Sequence, residues 1–177
     1  MGIFSIFQKA DTLYYPGCTT YFKYADNYEI YKKIFSRLGI KVVWSENIIC
    51  CGLPAFEMGY EAEARKLARR KFELLKENGI KSIITNCPAC YKMFKQNYPE
   101  FLPDWNIEVI DIWKLILEKL LEKPKLIKNR AEERITYHDS CYLGRYCGIY
   151  DEPRRILELI GYTIEEICDS RENSICA

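Results

Sequence analysis

Five cysteines fall in three short segments with the types and spacing of a metal-binding site. They are Cys18, the adjacent pair Cys50 and Cys51 followed by Gly52, and Cys87 and Cys90 in a Cys-Pro-Ala-Cys sequence. Thiolate sulfur binds soft metals, chiefly iron–sulfur clusters and zinc. The chain has nine cysteines, an odd number for a disulfide framework, and its first residues lack the pattern of a signal peptide. We therefore expect a cytoplasmic protein with reduced thiols and a metal centre.

The spacing favours a cluster of several irons over a single zinc ion. Structural zinc sites often use two Cys-x-x-Cys pairs, whereas this chain has only the pair Cys87 and Cys90. Adjacent cysteines tend to point apart along an extended backbone, so Cys50 and Cys51 should bind different irons. Two alternatives stay open: a zinc-binding interaction module, and a metal-free thiol–disulfide protein that uses Cys87 and Cys90.

The segments between these cysteines predict the elements that must position them. Strands are predicted at 12–15, 41–44 and 81–85, and helices at 24–38, 61–78 and 88–97. This alternation favours an α/β fold with a parallel sheet, right-handed crossovers and helices on both faces. Ligands of such sheets bind beyond the carboxyl ends of the strands. Because each cysteine segment follows a predicted strand, the three segments should meet at that edge.

The predicted domain organisation is one complete unit followed by part of a second. The expected segments are a leader at 1–11, a complete domain at 12–122, a charged linker at 123–133 and a partial second domain at 134–177. The complete domain closes with a strand at 108–110 and a helix at 111–121 that Asp111 caps. The partial domain repeats the order of strand (134–137), cysteine, helix (153–160) and strand (162–167).

The cysteines of the predicted second domain form a candidate incomplete site. Cys141 would correspond to Cys18, and Cys176 to Cys50, because 34 residues separate the later pair and 31 the earlier pair. Cys147 and Cys168 fit neither pattern and are expected to be structural or buried. The single histidine, His138, is expected to be a core imidazole.

Composition excludes several other functions. The net charge is +1, with 26 basic and 25 acidic residues, and no basic stripe suggests nucleic-acid binding. No apolar run is long enough for a transmembrane helix. The sequence contains no Gly-x-Gly-x-x-Gly fingerprint and no phosphate-binding loop, so we expect no NAD, FAD or nucleotide site.

On these residues the sequence resembles the CCG, or cysteine-rich, domain family. The similar stretches are YYPGCT at 14–19, CCGLPA at 50–55, NCPACY at 86–91, YHDSCYLGR at 137–145 and YDEPR at 150–154. The family includes the B and D components of heterodisulfide reductase. It also includes iron–sulfur subunits of glycolate oxidase, lactate-utilisation enzymes and anaerobic glycerol-3-phosphate dehydrogenase.

The resemblance implies an iron–sulfur redox subunit, similar to heterodisulfide reductase, that carries electrons and is suited to reducing a disulfide. It implies one [4Fe-4S] cluster, with the noncubane form among the options. The implied ligands are Cys18, Cys50, Cys51, Cys87 and Cys90. It also implies a flavoprotein or iron–sulfur partner subunit and is compatible with peripheral attachment to a membrane complex.

The second array departs from the family pattern. The family commonly has Asp-Pro-Cys-His where this chain has Asp139-Ser140-Cys141-Tyr142, and Cys176 is followed only by Ala177. The resemblance therefore implies that the second site is incomplete.

Overall fold

The structure is a computed structural model that describes residues 11–44, 50–128 and 131–176 of the 177-residue chain. Most of the predicted leader, two residues of the predicted linker, and Ala177 lie outside the described residues. Six strands and seven α-helices lie within the described ranges.

A four-stranded parallel sheet forms the centre of the fold, which confirms the predicted α/β class. The strands are β1 (Thr12–Tyr14), β2 (Val43–Trp44), β3 (Ser82–Thr85) and β4 (Glu108–Asp111). Their order is β2-β1-β3-β4, and each neighbouring pair is parallel. The chain moves outward from β1 to β2 and then returns to place β3 on the other side of β1. Such a switch point opens a crevice beyond the carboxyl ends of the two central strands.

Helices cover both faces of the sheet. They are α1 (Ala25–Leu38), α2 (Leu53–Glu57), α3 (Glu61–Glu77), α4 (Pro88–Lys92), α5 (Tyr98–Phe101), α6 (Ile112–Glu122) and α7 (Asp151–Leu159). Because side chains alternate along a strand, Ile83 packs into the core that contains α3, and Ile84 packs into the core that contains α1 and α6. The two cores hold the central strands rigidly, so the loops after them have fixed starting points.

Local sequence signals explain where the main helices begin and end. Helix α1 ends at Gly39, which adopts a left-handed conformation with φ 75°. Helix α6 begins after Asp111, whose side chain accepts a hydrogen bond of 2.9 Å from the Trp113 N–H. The short helices α2 and α5 were not predicted. Nor were the π-helical turns, which span Thr19–Lys23, Met93–Asn97 and Tyr142–Tyr146.

The last part of the chain repeats the first part on a smaller scale. Its strands, β5 (Arg134–Ile135) and β6 (Thr163–Ile164), form a separate parallel pair. Both strands are shorter than predicted. In each part a strand leads to a cysteine, a π-helical turn, a helix and a parallel strand. This later part packs beside α4, where the Gln96 amide donates a hydrogen bond of 2.8 Å to the Tyr146 carbonyl.

Candidate metal centre

Two of the three cysteine segments meet at the switch point between β1 and β3. Cys18 follows β1, and Cys87 lies between β3 and the start of α4. Gly17, with φ 76°, makes the close approach possible. A Cβ atom on Gly17 would lie 2.7 Å from the Cys87 Cβ and 3.4 Å from the Cys90 Sγ. Only glycine leaves room for the thiols of the Cys-Pro-Ala-Cys segment at this point.

The third segment, Cys50 and Cys51, enters the same site through a sharp turn. Gly52 has φ 92°, and its N–H donates a hydrogen bond of 3.4 Å to the Cys50 Sγ. The turn brings the two adjacent thiols into hydrogen-bond contact with each other. The expectation that they point apart along an extended backbone is therefore wrong, because the left-handed glycine ends the extended conformation.

The thiols form a continuous set rather than separate pairs. Side-chain hydrogen bonds link Cys50 to Cys51, Cys51 to Cys90, and Cys90 to Cys87. Cys18 lies near enough to act electrostatically on Cys50. Cys51 and Cys90 are 3% exposed, whereas the remaining three cysteines are half-buried. The set therefore has a buried side and a side that reaches solvent.

Contacts among the thiols decide which of them carry negative charge. Hydrogen bonds from Cys50 and Cys90 lower the pKa of Cys51 to about 3. The contact with Cys51 in turn raises the pKa of Cys50 and of Cys90 above the usual thiol range. A hydrogen bond from Cys90 lowers the pKa of Cys87, helped by the backbone N–H groups of Cys90 and Ala89. The packed thiols thus share protons, as expected where neighbouring thiolates would repel each other.

Hydrogen bonds outside the thiol set fix the loops that carry it. The buried Tyr98 hydroxyl donates a bond of 3.0 Å to the Cys51 carbonyl. The Asn86 side chain accepts a bond of 2.8 Å from the Tyr14 hydroxyl and donates one of 3.0 Å to the Thr20 hydroxyl. Asn86 therefore ties the loop before Cys87 to the turn after Cys18.

One residue of the site, Lys71 on α3, was missed by the sequence analysis. It is 7% exposed, and its Nζ lies 4.3 Å from the centroid of the Tyr15 ring. Burial lowers the pKa of Lys71 to about 8, while the thiols, above all Cys51, act in the opposite direction. Its position in the apolar stripe of α3, between Ala68 and Leu75, is a sequence signal that could have identified it.

The donor set fits a cluster of several irons. Among residues 11–44, 50–128 and 131–176, no group of three or more His, Cys, Asp or Glu side chains is arranged to hold a single metal ion. The ligands of a polynuclear centre bind different irons, so they need not converge on one point. Five thiols in a linked set, supported by N–H groups directed at sulfur, are the kind of donors such clusters use.

The structure also brings together the two cysteines of the candidate incomplete site. The Sγ atoms of Cys141 and Cys176 are 3.6 Å apart. Cys147 is half-buried near α4, but Cys168 and His138 are exposed. The expectations of a buried Cys168 and a core His138 are therefore wrong. Both follow strands that are shorter than predicted, so both lie on exposed loops.

No helix among the described residues is long and apolar enough to cross a membrane.

Comparison with known proteins agrees with this site. Residues 12–95, which contain all five thiols of the set, match the cysteine-rich domain family named CCG. No solved structure matches the chain.

Known relatives are similar over most of the chain. The D component of a dihydromethanophenazine:CoB–CoM heterodisulfide reductase of Methanosarcina barkeri is 30% identical over 95% of this chain and 42% of its own length. An EtfAB:quinone oxidoreductase of Syntrophomonas wolfei is 33% identical over 93% of this chain and 23% of its own. A probable iron-sulfur-binding oxidoreductase of Bacillus subtilis is 36% identical over 67% of this chain and 17% of its own. The chain thus spans less than half the length of these relatives.

Proposed function

Because residues 12–95 form a cysteine-rich domain of the CCG family, we propose that this chain is an iron–sulfur redox subunit of the heterodisulfide reductase type. The observation that carries the proposal is the linked set of thiols at the switch point. Cys18, Cys50, Cys51, Cys87 and Cys90 are the proposed ligands. When bound, the cluster would supply one-electron chemistry.

The surrounding residues have distinct tasks in this proposal. Cys51 and Cys90 hold the buried side, where the aromatic core excludes water. Cys18 and Cys50 reach the solvent side, which is the side on which an electron donor would dock. The N–H groups of Gly52 and Ala89 donate to sulfur, and such bonds help to set the reduction potential of a cluster.

We further propose a [4Fe-4S] cluster, with the noncubane form as one option, and a flavoprotein or iron–sulfur subunit as electron donor. Relatives that are named as subunits or as multi-component oxidoreductases support a partner. If the substrate is a disulfide, two electrons from the donor break its S–S bond and release two thiolates. The reduced state of nine cysteines fits a cytoplasmic location.

One observation favours a second candidate function, a metal-free thiol–disulfide protein. The Cys87 thiol has a lowered pKa and accepts a hydrogen bond from Cys90, as the attacking thiol of a Cys-x-x-Cys pair does. That function needs neither Cys18 nor the pair Cys50 and Cys51, so the remaining thiols argue for the cluster.

Metal analysis of anaerobically purified protein separates the candidates. We expect a brown protein with about four irons and matching acid-labile sulfide per chain, and Cys51→Ser should lose this iron. Cys168→Ser is the matched control, because that thiol is exposed and should leave the iron content unchanged. One zinc per chain, or no metal together with a reactive Cys87, would refute the proposal.

A further inference from the structure

Lys71 is an unusual residue for its place in the fold. The side of α3 that faces the core is otherwise apolar, formed by Ala64, Ala68, Phe72 and Leu75. Within the described ranges, Lys71 is the one lysine that is buried. Lysine is almost never fully buried unless an opposite charge offsets the cost of desolvation. Its position therefore indicates negative charge nearby.

The neighbours of Lys71 identify where that negative charge lies. Its Nζ is 4.3 Å from the centroid of the Tyr15 ring and 5.9 Å from that of Phe94. Both rings belong to the buried core that also contains Cys51 and Cys90. The ammonium group thus lies in the same core as the buried side of the thiol set. Its electrostatic partners include four of the five proposed ligands, with Cys51 the strongest.

We infer that Lys71 is a positioning residue whose buried positive charge raises the reduction potential of the proposed cluster. This inference depends on the proposed function. Thiolate-ligated clusters are usually anionic, and each one-electron reduction adds a further negative charge. A fixed cation in a low-dielectric core stabilises the more negative, reduced state. Removal of the charge should therefore make reduction harder.

Substitution of Lys71 separates this electrostatic role from simple packing. Lys71→Met keeps an unbranched apolar stem against Tyr15 and Phe94 but removes the charge, and Lys71→Gln removes the charge while keeping polarity. Lys71→Arg keeps the charge. The matched control is Lys76→Met on the same helix. The Lys76 Nζ lies 4.5 Å from the Phe72 ring centroid, but its side chain is 51% exposed and pairs with Asp104.

The readout is the midpoint potential of the cluster, from a redox titration at pH 7 followed by electron paramagnetic resonance. We expect both neutral variants to shift to more negative potentials than replicate titrations vary. Lys71→Arg and Lys76→Met should remain at the wild-type value. Loss of iron from the neutral variants alone, with retention in Lys71→Arg, would also support a requirement for charge.

Three results would overturn the inference. The neutral variants could keep the wild-type potential, the exposed control could shift as far as they do, or all three Lys71 variants could lose iron alike, which would point to shape rather than charge. A wild-type protein without iron would instead refute the proposed function, so the two failures are distinguishable.

Discussion

The first region (residues 12–122) and the second region (residues 134–176) begin with the same local structure and arrive at different chemistry. Each contains a strand, a cysteine, a π-helical turn, a helix and a parallel strand. In the first region β3 and β4 extend the sheet, and the segment after β3 adds Cys87 and Cys90. In the second region the sheet has two strands and only Cys141 and Cys176 meet. A third strand beside the first is therefore what turns one cysteine loop into part of a five-thiol site.

The two regions are also held together differently. The first region has two apolar cores, one on each face of its sheet. The second is organised around a buried ion pair, in which the Arg154 guanidinium donates two hydrogen bonds of 2.7 Å to the Asp139 carboxylate. The same Arg154 pairs with Glu166. Asp139 also accepts a hydrogen bond of 2.7 Å from the Arg171 N–H, which anchors the segment that ends in Cys176.

The largest expected difference between the regions is in metal binding. Cys90→Ser should abolish iron incorporation, because it removes the thiol that contacts both Cys51 and Cys87. Cys141→Ser should leave the iron content unchanged. The measurement is iron and acid-labile sulfide per chain after anaerobic purification. Equal losses in the two variants would mean that the two regions share one metal centre, contrary to the comparison.

Removal of the buried arginine should unfold the second region selectively. Arg154→Met leaves the Asp139 carboxylate buried without its partner, which costs about 3–5 kcal/mol. Hydrogen exchange should then show lost protection at 134–176 and retained protection in β1–β4. Arg69→Met is the control, since the pair of Arg69 with Asp104 is exposed and contributes about 1 kcal/mol or less. Uniform destabilisation of both regions would contradict their independence.

Alanine at two glycines should distinguish a crowded turn from an open one. Gly17→Ala combines the cost of a left-handed conformation with a clash against Cys87 and should destabilise the fold by at least about 2 kcal/mol. Gly148→Ala in the second region has φ 70° but nothing within 4 Å of the new Cβ, so only about 1–2 kcal/mol should be lost. Urea unfolding measures both. Equal losses would show that the cysteine loops are not closely packed at Gly17.

The smallest expected difference is a response to acid. Hydrogen bonds from Arg154 lower the pKa of Asp139 below its usual value, which is about 3.9 in unfolded chains. The folded form is then favoured above pH 3.9, and this stabilisation is lost as the pH falls through the lower folded value. Hydrogen exchange at pH 5 and pH 3 should show weaker protection of the second region at the lower pH. Asp139→Asn should remove this dependence, whereas Asp104→Asn should preserve it.

Periodicity predicted the large elements well, because their signals are local. The apolar spacing of 24–38 and 61–78 predicted α1 and α3 to within one residue at each end, and Asp111 correctly predicted the start of α6. The sequence did not predict α2, which begins after the left-handed Gly52, or the relation between Cys50 and Cys51. Their thiols meet because of one backbone angle at Gly52, and a sequence pattern does not specify that angle.

The sequence by itself determined the class of fold, the three cysteine segments and the soft-metal chemistry, since side-chain type and spacing are enough to decide these. Tertiary structure alone decided that β3 pairs with β1, and so placed Cys87 against Gly17. It also placed Lys71 in the same core as Cys51 and left Cys168 in solvent. Strand order and burial depend on contacts between residues that are distant along the chain, and the free energy of those contacts is not encoded in any local pattern.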